Sequence, residues 1–88
     1  MIPKPIDRQR LINLKKAIEK GDVPEVEVAT YVKGKYAFGD LKAMGWAHVE
    51  EIGERNECWV YTGPGMIKAE GKTLKKGDRT SPIEADYS

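Results

Sequence analysis

Asp22-Val23-Pro24-Glu25-Val26-Glu27-Val28-Ala29-Thr30-Tyr31-Val32 can be read in two ways, and the fold turns on the choice. As a helix, the stretch has a capping aspartate, a proline in the first turn and Glu25 three residues after the cap. Val28, Ala29 and Val32 then face a core, with Val26 partly covered. As a strand, it is rich in β-branched and aromatic residues, and Glu25 to Val28 alternates. The strand would run from Glu25 to Val32, turn at Lys33-Gly34-Lys35 and return through Phe38. The capping residues are specific and the apolar run is short, which favours the helix.

Towards the N-terminus the pattern is plainer. Pro3 and Pro5 keep the start extended, and Asp7 is a good N-cap for a helix over Arg8 to Lys20. Leu11, Leu14 and Ile18, with Ala17 beside them, form one apolar stripe. Gly21 suits the left-handed C′ position, and Lys15, Lys16 and Lys20 sit where the helix dipole favours cations.

Towards the C-terminus, Lys33-Gly34-Lys35 is a turn in either reading. Tyr36 to Met44 places Phe38, Leu41 and Met44 on one face of a short third helix closed by Gly45. Gly39 inside it costs about 1 kcal/mol relative to alanine, so this helix needs tertiary support. Trp46 to Ile52 and Glu57 to Thr62 read as a hairpin around the turn Gly53-Glu54-Arg55-Asn56. Gly63-Pro64-Gly65 ends it, Met66 to Leu74 can add a short strand, and the polar stretch from Lys75 reads as a frayed tail.

Composition sets outer limits. With 88 residues, one domain is the natural count, and its core must be economical. No window approaches the roughly 18 apolar residues of a membrane span. Met1 to Arg10 lacks the apolar stretch of a secretory signal, and the single cysteine, Cys58, excludes an internal disulfide; both point to the cytoplasm. The net charge of +1 hides a gradient. Residues 1–20 carry six basic and two acidic groups, whereas residues 50–62 carry one basic and four acidic.

The order helix, helix, turn, helix, hairpin, with Leu41-Lys42-Ala43-Met44-Gly45-Trp46 at the exit of the third helix, resembles the winged helix-turn-helix proteins. Leu41, Met44 and Gly45 match that family's apolar-x-x-apolar-Gly ending, and Val60-Tyr61-Thr62 resembles the outgoing wing strand. The resemblance covers about residues 6–62. It implies a small α+β winged helix-turn-helix domain, three helices followed by a β-hairpin wing, over residues 6–74, with a flexible tail over 75–88. It also implies a non-catalytic regulator or accessory factor that binds double-stranded DNA. The third helix would enter the major groove and the wing would touch the backbone or minor groove. Lys33, Lys35, Tyr36 and Lys42 would serve the recognition element, Arg55 and Asn56 the wing tip, and Arg8 and Arg10 flanking phosphates.

Competing readings run alongside. Asp40 on a recognition helix and Glu50, Glu51, Glu54 and Glu57 around the wing oppose DNA, and favour a protein partner or a homodimer bound through the acidic, aromatic hairpin. A further reading folds residues 25–62 into a four-stranded sheet crossed by helix one. His48 and Cys58 alone cannot complete a zinc site. Nothing surrounds either with the base, orienting group and oxyanion donor of a nucleophilic centre, so the sequence implies neither an enzyme nor a cofactor.

Overall fold

The computed structural model describes residues 8–84. Helix α1 spans Arg8–Lys20 as the periodicity predicts, burying Leu14 and Ile18. Its end is a Schellman motif: the Gly21 N–H donates to Ile18 O and the Asp22 N–H to Ala17 O, with Gly21 at φ 102°. The expected cap, Asp7, lies outside the described residues.

The helix expected over Asp22 to Val32 is absent. In its place stands a two-residue strand β1 (Val26–Glu27), followed by bends. β1 pairs in parallel with β2 (Tyr36–Ala37), Val26 opposite Tyr36. Preceding residues join another part of the chain, since Pro24 O accepts the Lys68 N–H at 2.9 Å and Glu25 forms an isolated parallel β-bridge with Lys68 through the backbone. The β-branched content of the segment prevails over its capping residues, because one buried valine, Val26, meets the core better in extended backbone than a weak helical stripe would. The longer strand from Glu25 to Val32 does not form either.

The helix expected over Tyr36 to Met44 forms as α2 (Phe38–Ala43), in the wrong setting for groove reading. Phe38, Gly39, Asp40 and Leu41 are buried, leaving Lys42 and Ala43 exposed. Gly45 closes it at φ 78°, its N–H donating to Lys42 O and that of Trp46 to Leu41 O, a second Schellman motif. Gly39 is required for contact. A Cβ there would lie 1.7 Å from Thr30 O, and the Gly39 N–H donates to Ala29 O at 3.1 Å.

The hairpin is present as β3 (Ala47–Gly53) and β4 (Asn56–Tyr61), reversing at Glu54-Arg55 with Arg55 at φ 61°. It is no projecting wing, because β4 is a central strand. β7 (Ile83–Glu84) pairs with its start, and residues 77–80 bind along the rest. Tyr61 N–H donates to Asp78 O, Gly77 N–H to Tyr61 O, Thr80 N–H to Trp59 O, and Trp59 N–H to Thr80 Oγ1. The polar segment read as a tail thus runs along β4 as far as Glu84. A second hairpin, β5 (Met66–Ala69) and β6 (Lys72–Lys75), turns through Glu70 and Gly71, both at positive φ as a two-residue hairpin loop demands.

Among the described residues, these two helices and seven short strands replace the three helices and wing. Leu14, Ile18, Val26, Phe38, Leu41, Trp59, Tyr61, Ile67 and Leu74 share one core, in which the Phe38 and Trp59 rings stack at 5.3 Å.

The register fixes one more property. Trp59 and Tyr61 direct their backbone groups away from β3, so Ala47 and Val49, their opposites, direct theirs to the outer side, as does Glu51 two residues on. Among the described residues β3 is therefore an edge strand, with Val49 and Ile52 exposed and Glu50 and Glu51 beside them.

Candidate functional site

An open groove of about 740 Å³ lies between the first turns of α1, the Pro24–Glu27 segment and the loop 31–36. Arg10 reaches its floor from α1. The Arg10 Nε–H donates to Asp40 Oδ2 at 2.8 Å, and the same oxygen accepts the Ala37 N–H at 2.7 Å. Asp40 is the third residue of α2, and its carboxylate reaches back to the amide before the helix, half of a capping box. One buried carboxylate thereby starts α2 and ties it to α1.

The ion pair is deeply covered: the Asp40 side chain is fully buried and that of Arg10 is 11 % exposed. Arg10 Nη2 and Asp40 Oδ1 are buried with no hydrogen-bond partner among the described residues, so one arm of a possible fork carries the link. Such a pair adds little net stability, yet removing one member is costly. The Arg10 guanidinium also lies over the Tyr31 ring, 4.9 Å from its centroid. Tyr31 is held from the other side of its loop by the close approach of Thr30 to Gly39. Asp40, Arg10 and Tyr31 form a chain of contacts from the core to the groove surface, where Tyr31 is 48 % exposed.

Four of the eight residues singled out from the sequence meet at this groove: Arg10, Lys33, Lys35 and Tyr36. Lys35 Nζ lies 3.7 Å from Glu27 Oε1, both largely exposed, a loose pair worth little. Arg8 is exposed at the start of α1, and Lys42 is exposed on α2. Arg55 and Asn56 are exposed at the β3–β4 turn, among Glu54, Glu51 and Glu57. Sequence reasoning missed Tyr31 and Asp40 as parts of this arrangement. Gly39 was the available clue, since a glycine inside a short helix marks a close backbone approach.

The aromatic hairpin residues proposed as a partner surface are committed elsewhere. Trp59 and Tyr61 are buried in the core, and Trp46 packs against it. The Tyr61 hydroxyl donates to Pro64 O, and burial pushes its pKa up to about 12. Cys58 is buried and His48 exposed. Among the described residues no three His, Cys, Asp or Glu side chains gather where they could hold a metal ion, and no helix is long and apolar enough to cross a membrane.

Charge is sorted between two halves of the fold. Residues 8–36 and 66–76 carry eleven Lys and Arg against five Asp and Glu, whereas residues 37–65 and 77–84 carry three against seven. The first half is joined by the Lys68–Pro24 backbone hydrogen bond and the isolated Glu25–Lys68 β-bridge. The groove belongs to this basic half.

No family model, curated protein or solved structure matches the chain.

Proposed function

We propose that this chain is a non-catalytic nucleic-acid-binding module that meets the phosphate backbone with the basic half of its fold. The observation that carries this reading is the charge sorting. A net charge of +1 gives no field worth naming, but ten cations against five carboxylates on adjoining elements do, once Arg10 is set aside with its buried partner Asp40. The face differs from the one a winged helix would use, because α2 is buried and the β3–β4 turn is acidic. Lys33 and Lys35 beside the groove and Lys68, Lys72, Lys75 and Lys76 on the β5–β6 hairpin supply exposed ammonium groups.

The test is fluorescence anisotropy of labelled single-stranded and duplex oligonucleotides across a salt series. Engagement of about four lysines predicts that log K falls with log salt at a slope near −3. Absent binding at low salt, or affinity indifferent to salt, overturns the reading.

A protein partner at the β3–β4 hairpin is the second reading, and the open outer edge of β3 favours it. An isotopically labelled sample in which a partner shifts only β3 resonances, with no nucleic-acid binding, would put it first.

A further inference from the structure

We infer that Tyr31 is a stacking platform for an unpaired nucleobase, so that the groove takes single-stranded nucleic acid in preference to duplex. The inference rests on the nucleic-acid reading above and adds the ligand's strandedness and the residue that senses it.

An exposed tyrosine on a loop ordinarily samples several rotamers, and immobilising it on a ligand costs entropy. Here the immobilisation is built in. Asp40, fully buried, fixes Arg10 through the 2.8 Å hydrogen bond, and Arg10 lies over the ring at 4.9 Å from its centroid. The backbone next to Tyr31 is seated on Gly39, where no side chain could fit. The ring is thus backed by a cation whose own position is set from the core.

Its surroundings then select the ligand. Nearly half of Tyr31 is open, and the ring borders a groove that also carries Lys33 and Lys35. An aromatic face beside ammonium groups matches a base attached to its phosphates: every base has a π-face to stack, and the phosphates follow the cations. A duplex hides those faces in its own stack, so it can use the lysines but not the ring. Glu25 and Glu27 also line the groove, Glu27 within 3.7 Å of the Lys35 ammonium, so a phosphate there competes with that loose pair. The remaining cations on the β5–β6 hairpin begin at Lys68, hydrogen bonded to Pro24 at the groove wall, and offer the strand a path outward.

The experiment uses the full chain with a labelled oligothymidine and a duplex of equal length. Tyr31→Ala is expected to weaken oligothymidine binding about fivefold or more and leave duplex binding within about twofold, since one base-stacking contact is lost. Tyr31→Phe, which keeps the ring, is expected to retain wild-type affinity. Photo-cross-linking of an iodouracil-substituted oligonucleotide to the wild-type chain, mapped by mass spectrometry, is expected to mark the peptide containing Tyr31 and does not depend on any variant folding. Salt-dependent binding with an unchanged Tyr31→Ala affinity, or cross-links only at other peptides, overturns this inference and leaves the nucleic-acid reading standing. No binding of either oligonucleotide at low salt overturns both.

Discussion

Replacing Gly39 with alanine sets two effects of opposite sign against each other. On helix propensity alone, alanine inside α2 gains about 1 kcal/mol over glycine. The structure predicts the reverse outcome. A Cβ would sit 1.7 Å from Thr30 O, a backbone atom, so residues 29–31 must retreat by more than about 1 Å. That movement breaks the hydrogen bond from the Gly39 N–H to Ala29 O, leaving a buried donor at a cost of about 1–3 kcal/mol. It also lifts Tyr31 from Arg10, a further loss of about 0.5–1 kcal/mol. The net expectation is destabilisation by about 1–3 kcal/mol. At about 4–8 °C per kcal/mol for a domain of this size, the melting temperature falls by roughly 5–20 °C. Thermal melting followed by circular dichroism reads the shift, and a denaturant titration with unchanged slope assigns it to stability alone. A Gly39→Ala variant as stable as the wild type, or more so, refutes the close approach of the loop to α2.

Asp40→Ala removes the acceptor of both Arg10 and the Ala37 amide and strands a largely buried cation. A loss of about 3–5 kcal/mol is expected, and the Arg10→Met/Asp40→Ala double variant should recover at least about 1 kcal/mol against the sum of the singles; strict additivity would show the pair is uncoupled. Tyr61 has its pKa raised from the ordinary 10 to about 12 by burial, so the folded state keeps its proton longer than the unfolded chain does. Stability attributable to this group is therefore intact below pH 10 and falls by roughly 2–3 kcal/mol as pH rises towards 12. Denaturant titrations across that range should show the fall for the wild type and lose this contribution in Tyr61→Phe.

Elements set by local chemistry were legible in the sequence. Helix α1 has a stripe, a C-terminal glycine and no breakers, and the β3–β4 hairpin has dense β-formers around a turn. Asp22 to Val32 was misread because its capping residues are local, whereas what decides its conformation is distant. Lys68 takes the Pro24 carbonyl, and the core takes Val26. The same holds for residues 77–80, polar in sequence yet tied to β4 by four hydrogen bonds. At the groove, Arg10, Lys33, Lys35 and Tyr36 are legible from their charge and ring chemistry, although the helix expected to carry the recognition face, α2, is mostly buried. Asp40 was weighed as an exposed liability, since a pairing 30 residues away leaves no periodic trace.

The outer rim of β3 has a consequence for how the molecule keeps company with itself. Among the described residues no strand lies beside the outward amides and carbonyls at Ala47, Val49 and Glu51, so that rim would accept another extended chain; Glu51 places a carboxylate there, whereas Glu50 is already paired with Arg79. A negative charge on an open rim of this kind opposes pairing between copies. Glu51→Gln is therefore expected to raise self-association of concentrated protein, read by light scattering.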